Sequence, residues 1–205
     1  MKKTINTLGS TTLNNAIRED LDFYQTPTYA TKTLIQHFDF KSNFIWEPMA
    51  GNGAISKVLK EVGKLKVFST DIVQREYPLD RVMDYFQVGE QKVKIDLSIV
   101  TNPPYEFANQ FLKHTLENIR PRTCSLFLPI RYLEGQKRYD EIYSKYKPAK
   151  VLTYVKRLGC YKQSDVEKGP IGELGVGSAV AYMWLCFDRE TWSDPNAKTE
   201  IEWVN

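Results

Sequence analysis

The chain has 205 residues, 42% of them apolar and 26% charged, a balance that suits one globular domain and excludes a disordered or collagen-like polymer. No apolar run approaches the roughly 18 residues of a membrane-spanning helix, and residues 1–15 lack a signal-peptide core, so a soluble, cytoplasmic protein with no membrane partner is expected. The net charge of +3 says little, but from Lys113 to Lys168 thirteen cations stand against six acids, a local +7 that reads either as a solvated helix face or as a phosphate-facing surface.

In chain order, residues 28–38 carry the first helical pattern and residues 44–46 the first strand-like run. A second helix is predicted over 54–62, where Ile55, Val58, Leu59 and Val62 recur at helical spacing. Strand-like runs come next at 66–72, 81–86 and 97–101, then a helix at 107–119, a strand at 125–130, a helix at 134–146, and strands at 151–155 and 179–187. This alternation predicts an α/β fold: a mostly parallel, twisted, seven-stranded sheet with helices on both faces, closed by residues 179–187 as an antiparallel edge strand. The whole chain reads as one domain. Residues 160–177, with Pro170 and glycines 159, 169, 172, 175 and 177 in or beside them, look like an insertion rather than a buried element. Cys124, Cys160 and Cys186 are odd in number and widely spaced, with only His37 and His114 as companions, so neither disulfide nor metal site is expected.

Ligands of open α/β sheets bind beyond the carboxyl ends of the strands, so the residues just after each strand-like run are the candidates for a site. After the first run comes Glu47-Pro48-Met49-Ala50-Gly51-Asn52-Gly53, whose glycines permit a tight turn and close backbone approach to a nucleotide-like ligand. It is not the dinucleotide fingerprint, because Ser56 stands at the third glycine position, and a purely structural turn has the same composition. Asp71, followed by Ile72, ends the second run twenty residues after Gly51, where a carboxylate can accept from ribose hydroxyls or simply cap a turn. Asp84-Tyr85-Phe86 ends the third and offers a carboxylate and aromatic faces to a purine, or a cap and core. The fourth stops at Asn102-Pro103-Pro104-Tyr105. Two prolines fix φ and cannot donate, leaving the Asn102 amide oxygen and the Pro103 carbonyl as acceptors for a planar amine, with Tyr105 as an aromatic wall.

Asn102-Pro103-Pro104-Tyr105 after a strand, downstream of the glycine turn, resembles the catalytic loop of the N6-adenine DNA methyltransferases. Asp22-Phe23-Tyr24-Gln25-Thr26-Pro27 resembles, more loosely, the segment that folds over the methionine end of the cofactor in that family. The order of these motifs is similar to the arrangement in which target recognition comes after catalysis, and the likeness covers residues 22–130. It implies a Rossmann-like class I methyltransferase fold and S-adenosyl-L-methionine as cofactor. Phe23, Tyr24, Thr26, Pro27, Glu47, Pro48, Ala50, Gly51, Gly53, Asp71, Ile72, Asp84, Tyr85, Phe86 and Asn102 would border that cofactor, and Asn102, Pro103, Pro104 and Tyr105 would hold the target base.

The implied reaction is methylation of adenine N6 in DNA, in a bacterium or by a phage protein in its host. Residues 131–177 would form a small recognition insertion, with Arg131, Lys137, Arg138, Lys156, Arg157 and Lys162 meeting nucleic acid; a specificity partner or a second copy of the chain is the alternative source of recognition. The same loop serves RNA-base and protein-glutamine methyltransferases, so those substrates stay open, as does a catalytically idle nucleic-acid-binding module. Cytosine C5 methylation is disfavoured because none of the three cysteines follows a proline.

Overall fold

The computed structural model describes residues 24–89, 96–158, 161–162, 180–192 and 194–205, with Tyr24, Tyr161 and Lys162 entering through their backbone. In order, the elements are β1 (Tyr24–Gln25), α1 (Thr28–His37), β2 (Phe44–Glu47), α2 (Ala54–Glu61), β3 (Lys66–Asp71), β4 (Arg81–Val82) and β5 (Ser98–Thr101). They continue with α3 (Ala108–His114), β6 (Thr123–Pro129), α4 (Gln136–Arg138), β7 (Lys150–Tyr154), β8 (Tyr161–Lys162), β9 (Tyr182–Asp188) and β10 (Glu200–Val204). No helix among the described residues is long and apolar enough to cross a membrane.

Period-two alternation in the central strands builds a core on each side of the sheet. Cys124, Leu126 and Leu128 of β6, with Met183, Leu185 and Phe187 of β9, point to one face, where Phe111 and Leu112 of α3 cover them. Phe127, Trp184 and Cys186 point to the other, beneath Ala30 and Leu34 of α1 and Ile55 and Leu59 of α2. Fully burying such large side chains contributes about 1.5–3 kcal/mol each, so the layered order is set mainly by these two faces. Polar anchors fix the docking: the Trp184 indole donates to the Ala30 carbonyl at 2.8 Å, and the Trp46 indole to Thr70 Oγ1 at 2.9 Å.

The main sheet runs β10-β7-β9-β6-β5-β2-β3-β4. Strands β4, β3, β2, β5 and β6 are mutually parallel, and β7 is parallel to β10. The expected mostly parallel sheet with helices on both faces is therefore present, with eight strands rather than seven. The closing run is antiparallel as expected, but β9 is not an edge: it pairs with β6 on one side and β7 on the other, and its first six residues are all buried. A continuous apolar run of that kind needs partners on both flanks and cover on both faces. The outer place belongs to β10, a strand that is absent from the sequence-based expectation; its Glu200 and Glu202 ion-pair with Lys150 at 3.2 and 2.8 Å. A separate two-stranded ladder joins β1 antiparallel to β8.

The run predicted over 81–86 is strand only at Arg81–Val82. Asp84 accepts from the Phe86 N–H at 3.0 Å and caps a 3-10 turn over Tyr85–Gln87. The predicted helix 107–119 is α3 followed by a wide turn, Thr115–Ile119, that ends where Arg120 takes a left-handed φ of 55°. The helix expected over 134–146 is likewise short, with α4 passing into a wide turn over Tyr139–Tyr143.

Candidate active site

The chain moves outward from β2 to β3 to β4 and then returns to lay β5 on the other side of β2, so strand order reverses between β2 and β5. Such a switch point opens a crevice at the carboxyl ends. Along that rim, in order, stand Asp84 after β4, Asp71 at the end of β3, the glycine turn after β2, Asn102 after β5 and Ile130 after β6. Strand spacing puts the ends of β3 and β5 roughly 10 Å apart, a span suited to a nucleoside.

The glycine turn leaves β2 through Pro48 and is held on both sides. Ala50 N–H donates to the Thr70 carbonyl of β3 at 2.9 Å, and Gly53 N–H closes the turn on the Ala50 carbonyl at 2.7 Å. Gly51 and Gly53 have φ of 53° and 72°, a region that costs a side-chain-bearing residue about 1–2 kcal/mol. At Gly53 there is also no room, since a Cβ would lie 2.3 Å from the Tyr77 ring. The turn thus carries no side chain at either glycine, with Gly53 packed directly against the Tyr77 ring, and its backbone forms a cradle beside the strand ends.

Asp71 fastens the cradle. Its Oδ2 accepts from Gly51 N–H at 2.9 Å and its Oδ1 from Val73 N–H at 3.2 Å. Burial raises its pKa, while those two N–H groups work in the opposite direction. Ile72 beside it is exposed. Beneath the turn, Glu47 is 2% exposed and shares a short hydrogen bond with Ser56, which bonds Ser69 at 2.8 Å; Ser69 meets the Tyr77 hydroxyl at 3.2 Å. Desolvation pushes the Glu47 carboxyl up to about 8, with the Asp71 charge adding to it and the Ser56 bonds opposing it. Sequence reasoning does not single out Tyr77 and Ser69, and meets Ser56 only as a missing glycine, because a buried polar chain has no periodic signature.

Asn102 and Pro103 leave β5 directly beside this cradle, Pro103 buried and Asn102 half-buried. The Asn102 Nδ2 donates to Thr26 Oγ1 at 3.0 Å, which joins the segment before α1 to the loop. Thr26 is 3% exposed, and Pro27 follows it into the first turn of α1. Tyr105 opens a 3-10 turn, half-buried between the rings of Tyr132 and Tyr182 at 6.4 and 6.3 Å. Phe23 lies outside the described residues, as do Cys160 and most of residues 160–177.

Tyr85 departs from expectation. Its ring is 2% exposed, stacks on Phe111 at 4.6 Å, and its hydroxyl bonds Thr115 at 2.8 Å, so it belongs to the core and offers no face to a ligand. The first residue of this capped turn faces inward because Trp46 and Phe111 close around it. Phe86, half-buried against His114 at 5.7 Å, and Asp84 stay at the rim.

The basic residues sort by end of the sheet. At the amino ends, Arg122 pairs with Asp96 and Glu190, and Lys150 with Glu200 and Glu202. At the carboxyl ends, Arg131 follows β6 and Lys156 and Arg157 follow β7, all exposed and all at the same end of the sheet as the Asn102–Tyr105 loop. Lys137 is 82% exposed and 3.8 Å from Glu141. Arg138 departs from the expected set: its half-buried guanidinium is engaged within the protein, by the carbonyls of Tyr132 and Glu134 and by Asn109 Oδ1. Lys162 lies on β8, opposite Tyr24.

A switch-point crevice with a glycine cradle, a strand-end carboxylate and an antiparallel strand inserted between β6 and β7 decides the architecture. The fold is that of the class I methyltransferases. The structure superposes on a candidate RNA methyltransferase from Pyrococcus horikoshii with a TM-score of 0.55 at 14% identity, covering 82% of this chain and 87% of that one. It also superposes on the modification subunit of a candidate type I restriction enzyme from Vibrio vulnificus, TM-score 0.54 and 12% identity, over 90% of this chain. There the chain spans about half of the subunit, 47% of its length. The 23S rRNA methyltransferase ErmE is similar at a TM-score of 0.53 and 11% identity, with 84% of this chain and 71% of that chain covered. No family model matches the sequence, and no curated protein matches it. At such identities the likeness speaks for the class I methyltransferase fold alone.

Proposed function

We propose that the protein transfers a methyl group from S-adenosylmethionine to the exocyclic N6 amine of adenine in DNA. The observation that carries this reading is the position of Asn102-Pro103-Pro104-Tyr105 at the carboxyl end of β5, beside the glycine cradle of β2, with the Asn102 amide tied to Thr26.

The residues present fit the cofactor: the turn through Gly51 and Gly53 offers backbone without side chains, and the partly buried Asp71 carboxylate, each oxygen holding one backbone N–H, keeps lone pairs for ribose hydroxyls. When bound, S-adenosylmethionine supplies an electrophilic methyl group on a sulfonium. Pro48, Ala50 and Ile72 line the cradle, and Glu47, kept neutral by burial, adds no repelling charge. Phe86 and Asp84 stand where an adenine ring and its amine would lie.

The chain acts on the target by placement. The target amine is a poor nucleophile because its lone pair is delocalised into the purine. Hydrogen bonds from its N–H groups to the Asn102 amide oxygen and the Pro103 carbonyl favour a pyramidal nitrogen, an interaction strongest in the transition state. With that methyl group in place, the amine nitrogen would bond to its carbon as the bond to sulfur breaks, and the surplus N–H proton would pass to solvent, because the Asn102 amide cannot serve as base. A duplex base reaches the loop only when turned out of its stack, and the Tyr105 ring offers it a face. Arg131, Lys156 and Arg157 supply positive charge at this end of the sheet for the phosphates. Neither Cys124 nor Cys186 suits C5 chemistry: both are buried, and desolvation pushes the Cys186 thiol up to about 12.

Labelled S-adenosylmethionine incubated with duplex DNA, structured RNA and protein in parallel, followed by digestion and nucleoside mass spectrometry, tests the reading. N6-methyladenine in DNA is the expected product. Label confined to RNA or protein would move the substrate, and no transfer to any acceptor would remove the enzyme reading.

A further inference from the structure

The loop that carries Asn102 is braced from the far side by the segment after β6. The Tyr132 hydroxyl donates a short hydrogen bond to the Tyr105 backbone carbonyl, across 27 residues of sequence, and Tyr132 is 7% exposed. Tyr132 is itself held at both ends. Its carbonyl accepts from the Tyr143 hydroxyl at 2.6 Å and from Arg138 Nη1 at 3.2 Å, and the Arg138 guanidinium lies over its ring at 4.4 Å. The same guanidinium bonds the Glu134 carbonyl and, through Nε at 2.8 Å, Asn109 Oδ1 on α3, the helix that begins three residues after Tyr105. One planar cation thus grips the loop's following helix, the aromatic ring that touches the loop, and the chain just after that ring.

We infer that Tyr132 is a positioning residue for the Asn102-Pro103-Pro104-Tyr105 loop and that Arg138 acts through it, as a clasp rather than as a phosphate contact. The prolines make the loop stiff at its centre, and the Tyr105 carbonyl accepts from the Ala108 N–H within its own turn, so a tie to the rest of the molecule needs a partner from outside that turn. A hydroxyl on a buried, doubly held ring supplies one. Arginine fits the clasp because its fork delivers several donors in one plane while its face lies on an aromatic ring; lysine offers a single point charge. The effect on chemistry is geometric: a loop displaced by about 1 Å carries the acceptor atoms off the amine, a loss on the order of 100-fold.

This inference rests on the methyltransferase reading, and the test separates the two. Tyr132→Phe keeps the ring and removes only the hydroxyl; Arg138→Lys keeps the charge and removes the fork. For Tyr132→Phe, kcat for DNA methylation is expected to fall about 10- to 100-fold while KM for DNA and cofactor affinity stay within about two-fold. Arg138→Lys is expected to give the same pattern in smaller measure, with the salt dependence of DNA binding unchanged. Hydrogen exchange at the amides of residues 105–108 should quicken in both variants. Unchanged kcat and unchanged exchange in Tyr132→Phe would overturn the inference, as would kcat, cofactor affinity and melting temperature falling together. Should the wild-type protein transfer no methyl group, the enzyme reading fails by itself, and the exchange rates alone decide the brace: faster exchange at residues 105–108 upholds it, unchanged exchange ends it.

Discussion

Asn102 Nδ2 donates to Thr26 Oγ1 at 3.0 Å, so the amide at the end of β5 is fixed by a residue 76 positions earlier in the chain. A carboxamide has a donor end and an acceptor end of nearly equal size, and only the acceptor end helps an amine nucleophile. Thr26 takes the nitrogen and thereby directs the oxygen. Thr26→Val should lower kcat about 10-fold, and Thr26→Ser, which keeps the hydroxyl, should restore most of it. Asn102→Ala should abolish transfer with cofactor affinity retained; calorimetric titration of the cofactor beside single-turnover methylation reads both. Wild-type rates in Asn102→Ala would remove the role assigned to it.

Asp71 holds the glycine turn at the end of β3, so on the proposed methyltransferase reading its loss should act on the cofactor rather than on the target. Hydrogen bonds to a charged group are worth about 1.5–3 kcal/mol, so Asp71→Ala should weaken cofactor affinity roughly 10- to 100-fold. Part of that loss is structural, since Gly51 N–H loses its partner. Equal cofactor affinity in the variant and the wild type would place the ribose elsewhere.

Much of this arrangement is legible in the sequence because period-two strands and proline or glycine stops are local signals. The crevice residues stand out as strand-end motifs, and the parallel β2, β3 and β5 put them on one rim. Strand order is not local, which is why the closing run reads as an edge although its all-buried pattern means two partners. Glu200-Ile201-Glu202-Trp203-Val204 does alternate, but its apolar Ile201 and Trp203 point outward at 51% and 69% exposure, so it resembles a polar tail. Residue type alone suggests a ligand face for Tyr85 and a phosphate contact for Arg138. Their actual partners, Phe111 and Tyr132, lie 26 and 6 residues away, and no spacing rule selects them.

Glu47 makes stability depend on pH. Its carboxyl is raised from an ordinary 4.5 to about 8 by burial. Below 4.5 both folded and unfolded chains hold the proton and no penalty exists. Between 4.5 and 8 the unfolded chain releases it while the folded one keeps it, so stability falls as pH rises, by up to about 1.4 kcal/mol per pH unit. Glu47→Gln, which keeps an acceptor for the Ser56 hydroxyl, should flatten this slope. Urea unfolding of both proteins from pH 5 to pH 8 checks it; parallel slopes would mean that Glu47 is ionised in the folded state.

The cations at the carboxyl ends of the strands separate binding from bracing. Each phosphate neutralised by Lys or Arg adds about −0.9 to the slope of log K against log salt for duplex DNA. Arg131→Ala and the pair Lys156→Ala, Arg157→Ala should each weaken DNA binding and make that slope shallower, by roughly one unit for each phosphate no longer neutralised. Lys137→Ala should do so as well, because its exposed pair with Glu141 at 3.8 Å is worth little and yields easily to a phosphate. Fluorescence anisotropy with a duplex between low and moderate salt reads the slope directly. Arg122 and Lys150, at the opposite end and already paired with acids, should leave it unchanged on substitution, and an equal change there would mean that the basic stretch binds DNA diffusely instead of at the crevice.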